Sequence, residues 1–257
     1  MTSGKWIFTI KYQPDGSVDR YKARLVAKGF TQTYGLDYQE TFTPVAKLNT
    51  VRVLLSLATN CDWPLYQLDV KNAFLNGGLE EEVFMEISPG FRTPYNFNKV
   101  CKLKKSLYGH KQSPRAWFER FTKVVKEHGH VQGHADHTLF VKRSQGRIAI
   151  LIMYVDDFIL TGDDLEELAS LKSFLAKEFE VKDLGFLKYF LGMEVAKTRK
   201  GISVSQRKYV LDLLKKTGML GCKLADTPME PNYKDSLREE CSLVDKGQYQ
   251  RLVGKLL

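Results

Sequence analysis

The chain has 257 residues, a length that suits one large domain or two small ones. Hydrophobic residues make up 43% and aromatic residues 12%, which excludes a disordered or low-complexity protein. The 39 Lys and Arg against 30 Asp and Glu give a net charge of +9, and basic residues concentrate in 99–126 and 195–223. Two basic segments in one chain favour a polyanionic partner.

The N-terminal part of the sequence predicts a hairpin followed by a helix. Residues 6–12 alternate apolar and polar side chains, 14–16 have turn chemistry, and 18–28 are again extended. Asn49 and Thr50 are predicted to cap the helix. Its apolar face recurs with helical spacing at Val51, Leu54, Leu55 and Ala58.

The middle of the sequence mixes strands and helices. The apolar runs that predict strands are 65–70, 139–142, 148–154 and 158–160. Pro114 suits the first turn of a helix over 115–128. Asp164 and Glu167 form a capping box for a second helix, whose buried face is predicted to comprise Leu165, Leu168, Leu171 and Leu175.

The C-terminal part predicts a hairpin and a basic helix. Residues 189–195 and 202–204 are predicted strands around Lys200 and Gly201. Ser205 is predicted to cap a helix that runs to Lys216 and ends at Gly218, and 222–246, with Pro228 and Pro231, resembles a loop. Strands and helices are mixed along the sequence but do not follow a regular βαβα order, so the predicted fold class is α+β.

The cellular compartment is predicted from apolar runs and cysteines. The longest apolar run, 148–160, is shorter than the ~18 residues of a membrane span and is interrupted by acids, so no membrane partner is predicted. No apolar signal segment opens the sequence, and the four cysteines form no C-x-x-C pair. We therefore predict an intracellular protein with reduced thiols.

Two adjacent acids, Asp156 and Asp157, interrupt the most apolar stretch of the sequence. Read as a hairpin tip, they are ordinary solvated turn residues. The flanking strands are nevertheless apolar enough to be buried, so the acids would emerge from a core. Adjacent carboxylates raise each other's pKa unless a cation neutralises them, and Asp69 at the end of 65–70 is a third candidate ligand for Mg²⁺.

Four histidines form the main alternative metal site. His128, His130, His134 and His137 lie within ten residues of one another and could ligate zinc. No cysteine lies among them, and their spacing matches no common zinc motif. The sequence therefore favours a structural or surface role for them.

Six motifs follow one another along the chain. They are 21–32 (YKARLVAKGFTQ), 39–46 (QETFTPVA), 67–77 (QLDVKNAFLNG), 106–109 (SLYG) with Lys111 and Gln112, 154–157 (YVDD), and 183–185 (DLG) through 189–192 (YFLG). With these motifs in this order, nearly the whole chain resembles the reverse transcriptase domain of copia-type LTR retrotransposons.

The resemblance implies a right-hand polymerase with fingers, palm and thumb, in which an antiparallel palm sheet packs on helices. It assigns 1–62 mainly to the fingers and 63–188 to the palm, with an intervening fingers segment near 78–112. Residues 189–221 are expected to form the primer grip and the start of the thumb. Residues 222–257 are expected to form a linker toward an RNase H domain that the sequence does not contain.

The resemblance also implies an RNA-directed DNA polymerase that uses two Mg²⁺ ions, with Mn²⁺ as a substitute. Asp69, Asp156 and Asp157 resemble the catalytic, metal-binding aspartates of the family. In such enzymes the primer 3′-hydroxyl attacks the α-phosphate of a dNTP and pyrophosphate leaves. The implied partners are an RNA or DNA template with a primer, and a dNTP.

Nucleotide and primer contacts are implied by the same motifs. Phe74 occupies the position that excludes a 2′-hydroxyl, although a core aromatic after a strand has the same pattern. The other nucleotide-binding positions are Lys22, Arg24, Tyr108, Gly109 and Lys111. The primer grip corresponds to Phe190, Leu191 and Gly192, and residues 205–216 resemble the start of the thumb.

An alternative stays open. His110 stands where the family has an apolar residue, usually Leu, and the sequence ends soon after the polymerase region. The alternative is an inactive, truncated retrotransposon remnant that keeps the fold and at most binds nucleic acid. In a complete polyprotein the domain is expected to be joined to RNase H and integrase, and cytoplasmic virus-like particles are the implied location.

Overall fold

The computed structural model describes residues 2–13, 15–198, 201–224 and 245–256. Pro14, Lys200 and most of the predicted 222–246 loop, including Pro228 and Pro231, lie outside the described residues. The chain divides into two compact units, Met1–Tyr209 and Val210–Leu257.

The described residues form thirteen strands and five α-helices. The strands are β1 (Gly4–Tyr12), β2 (Val18–Ala27), β3 (Leu65–Val70), β4 (Gly78–Glu86), β5 (Val100–Lys105), β6 (Val131–Gln132), β7 (Leu139–Ser144), β8 (Arg147–Tyr154), β9 (Asp157–Gly162), β10 (Val181–Phe186), β11 (Tyr189–Phe190), β12 (Met193–Thr198) and β13 (Gly201–Ser205). The helices are α1 (Leu48–Asn60), α2 (Ser113–Glu127), α3 (Leu165–Glu178), α4 (Arg207–Thr217) and α5 (Lys246–Leu256). Two short 3₁₀ segments are Gly29–Thr31 and Ala73–Asn76.

A six-stranded antiparallel sheet in the order β10-β3-β9-β8-β7-β6 is the centre of the first unit. Successive side chains of a strand point to opposite faces of a sheet. Leu151 and Met153 of β8 therefore join one buried cluster, and Ile150 and Ile152 join another. Because β8 is covered on both faces, its sequence is continuously apolar rather than alternating.

Helices cover both faces of this sheet. Helices α2 and α3 pack on one face through Trp117, Phe121, Val124, Val125, Leu168, Leu171 and Leu175. Helix α1 packs on the other face through Val51, Leu54, Leu55 and Ala58. Each fully buried large apolar side chain stabilises the fold by about 1.5–3 kcal/mol relative to exposure.

The remaining strands form three small antiparallel sheets. Strands β1 and β2 make a long hairpin, β4 pairs with β5, and β11, β12 and β13 form a third sheet. The start of the chain is attached to β4, since Thr2 N–H donates to the backbone oxygen of Phe84 over 3.2 Å.

Several predictions made from the sequence are confirmed. The fold is α+β, the β1–β2 hairpin is present, and β3 has the predicted bounds. Helix α2 has Pro114 in its first turn. Asp164 caps α3, because its Oδ1 accepts the Glu167 N–H over 3.1 Å.

Two predictions about helix ends and faces are wrong. Helix α1 begins at Leu48, and neither predicted cap residue caps it. Instead Asp136, from before β7, accepts Lys47 N–H over 2.9 Å and the Thr50 hydroxyl over 2.7 Å. A carboxylate brought by the tertiary fold thus does the capping. Leu165 is 57% exposed because it lies in the first turn of α3, ahead of the buried face.

Two predictions about the C-terminal part also differ from the structure. Residues 189–195 are not one strand, because Leu191 and Gly192 form a turn between β11 and β12. Within the range expected to be a linker, the described residues include helix α5. Among the described residues, no helix has both the length and the apolar composition needed to cross a bilayer.

Candidate active site

The first predicted catalytic residue lies directly opposite the third. In the antiparallel pairing of β3 with β9, Asp69 is the register partner of Asp157. Side chains on directly opposed residues have Cβ atoms about 4.5–5.5 Å apart. Both lie on the α1 face of the sheet, since their neighbours Leu68 and Phe158 point into the cluster under α2 and α3. The pairing of a short strand with a distant hairpin therefore brings the two carboxylates together.

The second predicted catalytic residue lies in the turn next to this pair. Tyr154 pairs with Asp157, so Val155 and Asp156 form the tight connection between β8 and β9. Val155 has a φ of 55°, a left-handed conformation that is rare for a β-branched residue. Such backbone strain is characteristic of functional sites.

Two hydrogen bonds hold this strained turn. The indole Nε1 of Trp117 donates to the backbone oxygen of Val155 over 2.7 Å, and Val70 N–H donates to the backbone oxygen of Asp156 over 2.8 Å. Trp117 is only 1% exposed, so helix α2 fixes the turn from inside the core. Asp157 is held in addition by Gln67, whose Nε2 donates to Oδ1 over 3.1 Å.

The three carboxylates influence each other electrostatically. Burial raises the pKa of Asp69, and Asp156 raises it further, against the opposing charges of Lys182, Lys22 and Lys71. Burial also raises the pKa of Asp157; the Gln67 hydrogen bond opposes this, and Asp156 and Asp69 add to it. A cluster with these shifts favours a bound cation or a proton.

The three carboxylates do not form one tight group of ligand atoms. In the described part of the chain, only one group of three potential ligands has its ligand atoms all within 4.8 Å of one another, and it is not this one. The site is therefore an open carboxylate cluster rather than a closed cage.

Aromatic and basic side chains adjoin the carboxylates. The rings of Phe74 and Tyr108 have centroids 4.9 Å apart, and the guanidinium carbon of Arg24 lies 5.1 Å from the centre of the Tyr108 ring. Burial raises the pKa of Tyr108, Arg24 opposes the shift, and Asp156 and Asp69 add to it. The aromatic pair thus lies within electrostatic reach of the carboxylates.

Arg24 and Lys22 bring positive charge from the hairpin to this place. Burial and the nearby cations Arg24, Arg20 and Lys11 lower the pKa of Lys22, whereas Asp69 raises it. Nε of Arg24 is buried, and no hydrogen bond reaches it from the residues that the structure describes. Leaving a buried guanidinium donor without an acceptor is unfavourable.

Gly109 permits a close approach between the hairpin and the loop after β5. Its φ is +93°, and a Cβ at this position would lie 2.1 Å from the backbone oxygen of Ala27. The contact is closed by Ala27 N–H, which donates to the backbone oxygen of Tyr108 over 2.7 Å. Only glycine fits, so the chain backbone itself fixes Tyr108 beside β2.

Lys111 is exposed, and its backbone rather than its side chain makes the described contact. Its N–H donates to Oε1 of Gln32 over 2.9 Å, and Nε2 of Gln32 donates to Oε1 of Gln112 over 3.0 Å. The neighbouring His110 is buried, with its Nε2 3.4 Å from the Thr2 hydroxyl, and burial lowers its pKa. His110 therefore packs against the start of the chain.

The predicted primer grip lies beside the β8–β9 hairpin. Phe190 is buried, and its ring meets the ring of Tyr154 edge to face with centroids 6.2 Å apart. Leu191 and Gly192 have φ values of 51° and 77°, as in the type I′ turn that favours two-residue hairpins. Tyr154 thus connects the turn at 191–192 to the acidic turn.

A comparison with models of known protein families shows which family this chain belongs to. The family model described as reverse transcriptase (RNA-dependent DNA polymerase) matches residues 2–231. The chain belongs to this family.

Curated relatives of this reverse transcriptase chain are parts of transposon polyproteins. It is 46% identical over 252 residues to the retrovirus-related Pol polyprotein from transposon RE1 of Arabidopsis thaliana, and 44% identical to that from transposon RE2 of the same plant. It is 40% identical over 262 residues to the Pol polyprotein from transposon TNT 1-94 of Nicotiana tabacum. Each match covers 98% of this chain, and the chain spans 17–20% of the length of these relatives.

Some residues that build this reverse transcriptase site were given no role in the sequence analysis. Gln67, Gln32 and Gln112 are buried polar side chains that orient other site residues, and Trp117 holds the acidic turn. Gln67 lies in an otherwise apolar strand, two residues before Asp69. A polar residue at this place was the sequence signal that could have indicated its role in the site. Trp117 gave no signal, because an apolar helix face predicts only burial.

Proposed function

We propose that this chain is the RNA-directed DNA polymerase domain of a copia-type retrotransposon polyprotein. The observation that carries the proposal is the register pairing of Asp69 with Asp157, with Asp156 in the adjoining turn. Under this proposal the six-stranded sheet is the palm, β1–β2 and the 78–112 segment belong to the fingers, and α4 starts the thumb.

The donor set fits hard divalent cations. Asp69, Asp156 and Asp157 offer carboxylate oxygens, which Mg²⁺ and Mn²⁺ prefer. Burial raises the pKa values of Asp69 and Asp157, and the neighbouring carboxylates add to both shifts, so a cation at this place would relieve them. When bound, two such ions supply charge neutralisation on the transferred phosphoryl group and lower the pKa of the primer hydroxyl. Gln67 and Trp117 keep two of the ligand-bearing positions in place.

The residues around the carboxylates are suited to a nucleoside triphosphate. Arg24 and Lys22 provide positive charge for its phosphates, and Lys111 provides a further charge at the exposed edge. The ring of Phe74, packed on Tyr108, is proposed to lie under the sugar and to exclude a 2′-hydroxyl. The Gly109 backbone leaves the space in which Tyr108 and the hairpin meet.

The two basic segments, 99–126 and 195–223, are each proposed to contact the template or the primer. Segments 99–126 and 195–223 neutralise backbone phosphates, which supply most of the affinity of non-specific nucleic-acid binding. Phe190, Leu191 and Gly192 are proposed to position the primer end, because their turn adjoins Tyr154 of the catalytic hairpin. In the complete polyprotein we propose attached RNase H and integrase, acting in cytoplasmic particles.

The test is primer extension on an RNA template with Mg²⁺ and dNTPs. We expect extension by the wild type and none by Asp156→Asn, whose turn retains its backbone hydrogen bonds. Asp19→Asn is the matched control, because it makes the same chemical change on an exposed position of β2. Absence of extension by folded wild-type chain that still binds primer and template would support the inactive remnant instead.

A further inference from the structure

Two histidines and a glutamate meet at the end of α2 that is remote from the acidic turn. His128 follows α2, His130 precedes β6, and Glu167 lies in the first turn of α3. One ligand atom from each of the three lies within 4.8 Å of the other two. This group, the histidine–glutamate cluster, is the one such triad among the described residues.

His130 is the unusual member of the histidine–glutamate cluster. It is only 2% exposed, and within the part of the chain that the structure describes neither ring nitrogen has a hydrogen-bond partner. Burial, with the charges of His128 and Lys142, lowers the pKa of His130 to about 4. A buried imidazole whose two nitrogens both have no hydrogen-bond partner among the described residues is unfavourable unless something binds it.

His128 is oriented for ligation by its second nitrogen. Its Nε2 lies 3.4 Å from the Ser170 hydroxyl, and its Nδ1 lies 3.2 Å from Oε1 of Glu167. Neither Nδ1 nor that Oε1 makes a hydrogen bond among the described residues. With its proton on Nε2, donated to Ser170, His128 would have a free Nδ1 lone pair 3.2 Å from Oε1 of Glu167, and the two atoms could then bind one cation together.

Glu167 is oriented in the same way through its other oxygen. Oε2 of Glu167 accepts from Nζ of Lys142 over 2.8 Å, and the same ammonium donates to the backbone oxygen of His128 over 3.0 Å. Lys142 thus neutralises one carboxylate oxygen and holds the other, Oε1, toward the two imidazoles. The ammonium also opposes a nearby cation, so nitrogen ligands must supply much of the affinity.

The spacing matches a small tetrahedral ion. Zinc binds nitrogen and oxygen ligands at about 2.0–2.1 Å, which separates neighbouring ligand atoms by about 3.3 Å. His128 Nδ1 and Glu167 Oε1 already have a separation of 3.2 Å. The third ligand atom, from His130, lies no more than 4.8 Å from the other two. It therefore needs to move closer by at most about 1.5 Å to reach the tetrahedral spacing, which a side-chain adjustment can provide.

We propose that His128, His130 and Glu167 bind one divalent transition-metal ion of the zinc type, with water as the fourth ligand. Two imidazoles select zinc over Mg²⁺, which prefers oxygen ligands. The ion would join the end of α2, the start of β6 and the start of α3. Trp117, which contacts the acidic turn, is eleven residues before His128, or about 16 Å along a helix, so the role is structural rather than catalytic. The proposal is independent of the polymerase assignment.

The experiment is calorimetric titration of the metal-free full chain with Zn²⁺, in excess Mg²⁺ and with the cysteines alkylated. Alkylation is needed because Cys61, Cys101 and Cys222 are exposed thiols that also bind zinc. We expect one Zn²⁺ per chain and a rise in Tm of about 5 °C when zinc is in hundredfold excess over its Kd. Glu167→Gln and His130→Phe are expected to weaken binding at least about 100-fold.

Matched variants make the outcome decisive. His134→Ala and His137→Ala change exposed histidines of the same segment and should bind zinc as the wild type does. His130→Phe should also raise the Tm of the metal-free chain, because it removes two buried nitrogens without partners. Equal zinc affinity in wild type, Glu167→Gln and His130→Phe, or no binding to folded wild type at micromolar zinc, would overturn the proposal.

Discussion

The indole Nε1 of Trp117, in helix α2, donates a hydrogen bond to the backbone oxygen of Val155, in the turn between β8 and β9. This single bond connects the core to the turn that carries Asp156, and Val155 adopts a positive φ while it is held there. The position of the Asp156 carboxylate, one of the three proposed metal ligands, therefore depends on the buried side chain of Trp117.

Replacing Trp117 by Phe tests this dependence. An aromatic ring is kept, although a smaller one, and a buried carbonyl loses its donor. The lost hydrogen bond costs about 1–3 kcal/mol of stability, in addition to the cost of the smaller ring. We expect a folded variant with a lower Tm and a reduced rate of primer extension. Trp6→Phe is the control, because its Nε1 donates to the Pro89 backbone oxygen at an exposed position. Equal losses in both variants would contradict the special role of the buried bond.

Asp69→Asn is expected to abolish DNA synthesis and to leave the affinity for the template nearly unchanged. The reason is that the proposed role of Asp69 is to bind metal with the other two carboxylates, not to contact the nucleic acid. The same variant makes a stability prediction. When folding raises the pKa of an acid, the protein becomes less stable as the pH increases. The loss occurs between the ordinary pKa of the acid, 3.8 for Asp69, and its raised pKa in the folded state. In EDTA at pH 7, Asp69→Asn should therefore have a higher Tm than the wild type.

The pH dependence separates this effect from a general change in packing. Differential scanning calorimetry at several pH values should show that the gain from Asp69→Asn shrinks as the pH falls toward 4, because the wild-type carboxyl is then protonated too. A gain independent of pH, or a less stable variant at pH 7, is incompatible with the electrostatic explanation.

Gly109→Ala is expected to disrupt the contact between the hairpin and the loop after β5. The added Cβ meets the Ala27 oxygen at 2.1 Å and is strained by the positive φ as well. Gly16 has a similar φ, +87°, but a Cβ there would have no atom of the described residues within 4 Å. Gly16→Ala therefore measures the strain of the backbone conformation, about 1–2 kcal/mol. We expect Gly109→Ala to lower the Tm more than Gly16→Ala and to raise the KM for dNTP. Similar effects would show that the close approach is unimportant.

Phe74→Ala is expected to permit ribonucleotide incorporation. Removing the ring that packs on Tyr108 opens space for a 2′-hydroxyl and should reduce the preference for dNTP over rNTP by about 10–200-fold. Competition between the two nucleotides in primer extension measures this ratio. Phe118→Ala, another partly buried phenylalanine of the same cluster, should keep the wild-type ratio. If the sugar selectivity of Phe74→Ala were unchanged, Phe74 would be only an aromatic residue of the core and would not exclude the 2′-hydroxyl.

Binding of primer and template should depend steeply on salt. If the basic segments contact about five phosphates, the logarithm of the affinity falls with the logarithm of salt concentration at a slope of roughly −4 to −5. Fluorescence anisotropy between about 50 and 200 mM KCl measures the slope. Lys111→Ala should reduce it by about 1 if this exposed lysine contacts a phosphate. A slope near zero would exclude a phosphate-dominated interface.

Local pattern predicted the elements that depend on local physics. Strand β3 and the apolar face of α1 follow from periodicity, and Asp164 caps α3 within its own segment. The cap of α1 could not be predicted, because Asp136 comes from 86 residues beyond Thr50. The turn at Leu191 was missed, since a bulky residue with a positive φ has no local signature.

The amino-acid sequence by itself determined the family, the α+β class and the three aspartates, because these depend on residue identity and order along the chain. Only the tertiary structure decided which groups meet. It placed Asp69 opposite Asp157, Trp117 under Val155, and His130 beside Glu167. The reason is that strand register and helix packing bring together residues far apart in the chain, and those contacts are set by the burial of the whole core rather than by any local segment.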